Sequence, residues 1–406
     1  MSPLPTVSVP SAAGNNAALL ALAGQRLNVL QHERVVLYAG ANLPSPEAMA
    51  AYSPGLSAYP AMGPSFDKEQ PDTGLVSALE VAVADQISRL FGSLWADTRL
   101  PNCTTANLAV FHAFARPGDL LLAPAAAHGG HLSQRKGGTP ELAGLNVEDL
   151  PYDEHHLCLD PAAAAAMILR RKPRLVMLGR SVMLKADDIT PVINSAQRVG
   201  AKTIFDASHV LGLIAGGMFP NPLSLGVDIM TSSTYKTLPG RPHSIIAGGN
   251  LADRALLASV IENRMIANGD AGCLPSLLVT LEQAKQNGAN YARRICRNTA
   301  AMAAALRAAG VVVMAAQPHE TATHQLLIPM SPALSAKQTL AALEQQGILV
   351  GTCADPAAAG HFALRVGTQF MTTLELDETG FARIAQRLAA LLERTADNRM
   401  RIRAGR

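Results

Sequence analysis

Between Thr203 and Gly240 the chain reads TIFDASHVLGLIAGGMFPNPLSLGVDIMTSSTYKTLPG, and two short apolar runs within it, Thr203–Phe205 and Val227–Met230, break off into polar residues. Runs of that length, rich in Val, Ile and Met, are strands buried on both faces, the condition of a parallel sheet covered by helices. The rest of the chain repeats the alternation. Strand-like Asp119–Pro124, Leu175–Leu178 and Ser244–Gly249 lie among helix-spaced Ala17–His32, Gly74–Phe91, Ile193–Val199 and Leu251–Asn268. This pattern predicts an α/β fold, a mainly parallel sheet flanked by helices. A long helix, Leu274–Arg307, leads to a smaller α+β unit with strands Val311–Met314, Gln325–Pro329 and Phe362–Val366 and helices near Lys337–Gln346 and Gly380–Ala396. The expected organisation is an N-terminal segment (1–45), a large domain (46–285) and a small C-terminal domain (286–406), within the reach of 406 residues.

The polar ends of the two runs carry the chemistry. The first ends in Asp206-Ala207-Ser208-His209, and the second leads through Thr231-Ser232-Ser233-Thr234-Tyr235 to Lys236. A lysine after hydroxyl residues, taken alone, reads as a solvated loop. An acid, a histidine and a lysine at successive strand ends suit a cofactor whose aldehyde condenses with the amine and whose ring nitrogen needs an anionic partner. That cofactor is pyridoxal 5'-phosphate.

The run resembles serine hydroxymethyltransferase and its relatives among the fold-type I pyridoxal phosphate enzymes, which carry D-x-A-H, a hydroxyl-rich run and then K-T-L-x-G. Asp206, His209 and Lys236 fall on the matching positions, Ser233 lies in the hydroxyl-rich run, and the similarity extends from about Leu43 to about Thr373. The resemblance implies roles for further residues. Leu100–Asn107 is similar to the turn that opens a phosphate-binding helix, which places Cys103 and Thr104 at amides and a dipole that favour a dianion. Ala127–Leu132 matches A-H-G-G-H-L, whose second histidine, here His131, stacks on the pyridine ring, and Ser181 matches a serine near the phenolic oxygen. Gly269–Gly272 resembles the glycine-rich loop that reaches a neighbouring subunit's phosphate. Leu364–Thr373 resembles R-x-G-T-x-x-x-T-T, making Arg365 the two-point clamp for a substrate carboxylate. Asn42 and Tyr59 lie in segments that line the substrate pocket.

Two segments depart from the family pattern. Gly40 and Ala41 stand where the family has serine and glutamate, and Ser57 stands where relatives carry the glutamate of Y-A-E-G-Y-P, with Asp67 and Glu69 a few residues on. Because a serine hydroxyl cannot act as a carboxylic acid near neutral pH, folate-linked transfer is not expected.

The resemblance therefore implies an enzyme acting at Cα of a small amino acid, with Lys236, Asp206 and His131 catalytic. The reaction is Cα–Cβ cleavage or formation of a β-hydroxy-α-amino acid: aldolase, transaldolase or hydroxymethyltransferase, with an aldehyde as second partner. Alternatives are aminotransferase or racemase chemistry on the same scaffold, or ordinary folate-dependent hydroxymethyl transfer. A non-catalytic cofactor-binding protein is argued against by Lys236, Asp206 and Arg365 together. A homodimer with shared active sites is expected, since the Pro60 and Gly269–Gly272 segments resemble ones that cross the subunit boundary.

Other features bound the partners. A net charge of +3 gives no argument for nucleic acid or membrane, and no run approaches the roughly 20 apolar residues of a membrane span. Five cysteines without CxxC spacing support neither a zinc site nor a disulfide frame, and consecutive side chains in Tyr152–His156 cannot easily converge on one metal ion. The N-terminus lacks a basic, then apolar, leader, so the cytoplasm is expected. Residues 1–16 read as a disordered or draped arm and Arg399–Arg406 as a solvated tail.

Overall fold

The computed structural model of the chain describes residues 16–394, so the expected arm, save its last residue, and the basic tail lie outside the described residues. Seven strands form the main sheet in the order Trp95–Asp97, Ser244–Gly248, Ile229–Ser233, Lys202–Asp206, Leu175–Leu178, Leu120–Ala123 and Asn146–Asp149. Pairing is parallel from Ile229–Ser233 to Asn146–Asp149, while Ser244–Gly248 runs antiparallel to both its neighbours.

Side chains of successive strand residues point to opposite faces, so each strand feeds two cores. Leu122, Val176, Leu178, Phe205, Met230, Ile245 and Ala247 pack on one face with Val83 and Ile87 of helix Gly74–Phe91. Leu121, Ala123, Leu175, Met177, Ile204, Ile229 and Ile246 pack on the other with Val110 and Phe111 of helix Cys103–Phe114 and Leu257 of helix Leu251–Val260. This double burial is why the central strands read as unbroken apolar runs.

A second core surrounds a three-stranded antiparallel sheet of Gln325–Pro329, Phe362–Gly367 and Gly351–Ala354. Helix Cys273–Ala308 ties the two units together. Its 36 residues span about 54 Å at the α-helical rise, placing Leu274, Leu277 and Leu281 in the first core and Met302, Ala303 and Leu306 in the second. Val35–Val36 pairs in parallel with Ile348–Leu349, and Leu37 enters the second core, so the segment before Leu43 builds into the C-terminal unit.

Three elements differ from the sequence expectation. The strand after Val227 is Ile229–Ser233, so the hydroxyl run is largely strand. Its buried hydroxyls are tolerated because they are bonded, Thr231 Oγ1 to Asn107 Oδ1 at 2.6 Å and Ser232 Oγ to the Ser233 carbonyl at 2.8 Å. No strand forms at Val311–Met314: Gly310, at φ +79°, turns the chain out of the long helix, and the Val311 amide donates back to Leu306. Only Met314 keeps a bridge, to Leu327. Helix Leu251–Val260 widens into a π turn, Ile261–Met265, before the expected end at Asn268. No helix among the described residues is long and apolar enough to cross a membrane.

Candidate active site

Parallel register brings the chemistry together. Asp206 pairs with Thr231, so its strand end lies beside the hydroxyl run, and the turn after Ser233 delivers Lys236 to the same place. The turn is closed by the Gly240 amide donating to the Thr234 carbonyl at 2.8 Å and Thr234 Oγ1 donating to the Arg241 carbonyl at 2.6 Å. A cavity of about 400 Å³ opens there, with Lys236, Asp206, His209, His131, Ser181 and Cys103 among its lining residues.

Asp206 is buried, and three donors hold its carboxylate, one from its own turn and two from helix Cys103–Phe114. The Ser208 amide donates to Oδ1 at 3.0 Å, while Asn107 Nδ2 at 3.0 Å and Cys103 Sγ at 3.5 Å donate to Oδ2. Burial, and then Asp206 itself, push the Cys103 thiol far up, so it stays protonated and can only donate here. Asn107 also donates to Ser133 Oγ at 3.0 Å, and Ser133 Oγ lies 2.8 Å from His131 Nδ1. The Ser133 amide donates to that same nitrogen at 3.2 Å, so Nδ1 is an acceptor and the ring carries its proton on Nε2. Burial lowers the His131 pKa, which keeps the imidazole neutral and flat-packing.

Helix Cys103–Phe114 starts at the cavity. Asn102 caps it by accepting from the Thr105 amide at 3.0 Å, which leaves the Cys103 and Thr104 amides without an intrahelical acceptor. Those amides are free to donate to an anion such as a phosphate, which the helix dipole favours. The His131 loop folds tightly on itself: a Cβ on Gly130 would lie 2.0 Å from the Pro124 carbonyl oxygen, so only glycine fits.

Lys236 Nζ donates to Ser233 Oγ at 3.1 Å. Burial lowers its pKa, opposed by Asp206 and Cys103 and reinforced by Arg365. His209 is buried and held well below its ordinary pKa, chiefly by burial and then by Lys236 and Arg365. Arg365 Nη1 donates to the Ser181 carbonyl at 3.1 Å, and its Nε is buried without a partner. An uncommitted donor on a planar fork is what a carboxylate needs. A lysine with a lowered pKa, a buried carboxylate, a neutral histidine, free helix amides and an unfilled guanidinium fit a planar aldehyde cofactor with a phosphate and a carboxylate-bearing substrate.

Ser233 and Arg365 are outside the cavity lining and meet it through Lys236 and the Ser181 carbonyl, and three further expected residues stand apart from it. Each polar side-chain atom of Asn42 is taken: Nδ2 donates to the Lys236 carbonyl and to Tyr291 Oη, and Oδ1 accepts from Thr373 Oγ1 and the Leu43 amide. Asn42 thus holds the lysine turn against Tyr291 and Thr373. Tyr59 is 45% exposed. Gly272 sits where a Cβ would be 2.2 Å from Ser57 Oγ, at the start of the long helix.

Ser57 does have a carboxylate beside it. Its hydroxyl donates to Asp270 Oδ1, and Tyr52 Oη, Cys273 Sγ and the Gly272 amide also approach Asp270. Burial pulls the Asp270 pKa up, but these hydrogen bonds outweigh it and leave the carboxyl below its ordinary value. Asp67 and Glu69 are exposed on their own turn. Residues that the motifs did not single out are Asn107, Ser133, Ser208, His324 and Gln325. Asn107 closes the Leu100–Asn107 motif and Ser208 lies inside Asp206–His209, usable signals; Ser133, His324 and Gln325 carry none in their local sequence.

Comparison with known proteins identifies the family. Residues 20–388 match the sequence profile of serine hydroxymethyltransferase. A serine hydroxymethyltransferase of Metallosphaera sedula is 33% identical over 379 residues, covering 91% of this chain and 87% of that protein. An alpha-methylserine aldolase of Variovorax paradoxus is 30% identical over 390 residues, covering 94% and 88%. The crystal structure of L-threonine transaldolase from Pseudomonas fluorescens superposes with a TM-score of 0.87 at 24% identity, over 96% of this chain and 90% of that one, a likeness of fold. The fold, a mostly parallel central sheet flanked by helices, is therefore that of a fold-type I enzyme. A profile match over most of the chain, with relatives at this level of identity, shows that the chain belongs to the serine hydroxymethyltransferase family.

Proposed function

We propose that the chain is a pyridoxal 5'-phosphate enzyme that breaks or makes the Cα–Cβ bond of a β-hydroxy-α-amino acid, with an aldehyde as second partner and without tetrahydrofolate. The observation that carries the reading is the convergence of Lys236 and Asp206 on one cavity, with Arg365 bonded to the carbonyl of Ser181 in its lining. Bound there, the cofactor supplies an aldehyde carbon for an amine and a ring that draws in electrons. The protein's side chains do the rest. Burial lowers the pKa of Lys236 Nζ, which favours the neutral amine that nucleophilic attack and proton acceptance require. Asp206, fixed by Ser208, Asn107 and Cys103, offers carboxylate oxygens to a ring N–H. Neutral His131 packs flat, the Cys103 and Thr104 amides take a phosphate, and the free side of Arg365 orients a carboxylate.

Independence from folate rests on Ser57 standing in the place of the family glutamate. Its neighbour Asp270 is held ionised by its hydrogen bonds, so near neutral pH it accepts protons rather than donating them. The relative named for alpha-methylserine aldolase supports the same direction. The enzyme acts as a homodimer in which the Tyr59 and Gly272 segments of one subunit complete the site of the other.

The test is incubation of the enzyme with serine, threonine and alpha-methylserine while following released aldehyde. Aldehyde is expected without tetrahydrofolate, little change on adding it, and none from Lys236→Ala. A strong folate-dependent acceleration would return the enzyme to ordinary hydroxymethyl transfer. Exchange of amino and keto acids without aldehyde would place it among the aminotransferases.

A further inference from the structure

Behind the cavity, strand Gln325–Pro329 of the C-terminal unit and the residue before it present two buried polar side chains, Gln325 and His324, to His209. Their hydrogen-bonding roles can be assigned from chemistry alone. The terminal group of Gln325 places one atom 3.0 Å from the Ser181 carbonyl oxygen. A carbonyl oxygen only accepts, so that atom is the amide nitrogen. The same nitrogen lies 3.2 Å from His209 Nδ1, and an amide NH₂ only donates. His324 Nε2 lies 3.2 Å from the Ala39 carbonyl oxygen, so it too carries hydrogen, and it faces His209 Nδ1 at 3.4 Å. The two rings are nearly parallel, 13° apart with centroids separated by 5.5 Å. The one hydrogen on His324 Nε2 is committed to Ala39, and Gln325 Nε2 lies 3.4 Å from that nitrogen, so Gln325 is the donor to His209 Nδ1 and neither neighbour can accept a hydrogen from it.

We infer that Gln325 is a positioning residue: it fixes His209 as the tautomer protonated on Nε2, making His209 a hydrogen-bond donor toward the cavity, and it steadies Arg365 through their shared Ser181 carbonyl. The second part follows from Arg365 Nη1 donating to the same oxygen at 3.1 Å. Gln325 therefore links a histidine on the cofactor side of the cavity to the arginine on the substrate side, across 116 residues of sequence to His209. A charged His209 would need a hydrogen on Nδ1 pointing at two donors, in keeping with its strongly lowered pKa. The assignment of the tautomer stands whatever the cavity binds; the role as donor to an electronegative cofactor atom rests on the function proposed above.

The experiment is nitrogen NMR of the full chain labelled with ¹⁵N-histidine, both loaded with pyridoxal phosphate and after its removal, with the His209 signals identified by their loss in His209→Asn. The wild-type ring should show a protonated Nε2 and a bare Nδ1 in both states across neutral pH. Gln325→Glu puts an acceptor against Nδ1, so the tautomer ratio should shift toward Nδ1–H by about tenfold or more. The same variant should lose affinity for both pyridoxal phosphate and the amino acid. Gln325→Met, which keeps the shape and removes the donor, should weaken the bias toward Nε2–H without inverting it. A wild-type His209 protonated on Nδ1, or an unchanged ratio in Gln325→Glu, would overturn the inference. The wild-type measurement decides even if a variant fails to fold. A chain that shows the Nε2–H tautomer but does not bind pyridoxal phosphate would leave the inference on Gln325 intact and refute the proposed cofactor instead.

Discussion

Asn107 commits its amide to three side chains, donating to Asp206 and Ser133 and accepting from Thr231. A residue with that many obligations sets the orientation of its neighbours, because each lost bond leaves a buried group unpaired. His324 is the opposite case, a buried ring with one nitrogen, Nδ1, unpartnered. Burial drives its pKa from 6.5 to about 3, with the Ala39 carbonyl only partly opposing. The folded state thus refuses a proton that the unfolded state takes up below the ordinary histidine value. Between 6.5 and about 3 unfolding binds protons, so stability falls as pH falls through that window and is complete above it. His324→Gln should flatten part of that acid slope in a plot of Tm against pH, His209 supplying part of the remainder. An identical slope in the variant would show that His324 takes its proton in the folded protein as readily as in the unfolded one.

At the scale of elements, the site depends on where helices begin and strands stop. Helix Cys103–Phe114 is started by Asn102, whose Oδ1 accepts from the Thr105 amide, and the same start exposes two free amides to the cavity. Asn102→Ala should cost about 1 kcal/mol of stability, the usual worth of an N-cap. It should also weaken pyridoxal phosphate binding, because the helix start frays where the phosphate docks. Denaturant midpoint and cofactor titration measure the two effects separately; loss of stability with unchanged cofactor affinity would move the phosphate away from this helix. The strand Ile229–Ser233 shows the complementary device. Its hydroxyl residues stay in the sheet because Ser208 Oγ accepts from the Ser233 amide at 3.0 Å and Asn107 accepts from Thr231, which keeps Lys236 one short turn from Asp206.

For the molecule as a whole, the segment carrying Tyr59 and the turn at Gly272 are fastened to each other and, through Arg241, to the lysine turn. The Ser53 amide donates to the Gly272 carbonyl at 3.1 Å, Ser57 donates to Asp270, and Arg241 lies over the Tyr52 ring at 4.3 Å. A unit so fastened, with Tyr59 exposed, suits delivery to a second subunit. Sedimentation should give a dimer, and dilution into monomers should release pyridoxal phosphate. A monomer that holds the cofactor one to one would overturn the composite site.

The amino-acid sequence by itself determined the features set by short-range spacing. Apolar runs a few residues long predict double-faced strands, and the ends of two of them carry Asp206, His209 and Lys236 in one stretch, because these two parallel neighbours in the sheet are also neighbours in the chain. Arg365 and His131 are candidates for the same reason, each standing inside a compact motif. Tertiary structure alone decided the contacts that cross the chain. Gln325 meets His209 and Ser181 across more than a hundred residues, Asp270 meets Ser57 across 213, and Asn42 spends its amide on Lys236 and Tyr291. None of these carries a local signature, since a hydrogen bond is specified by where two backbones pass in space. Spacing along the sequence records that only when one element carries both partners.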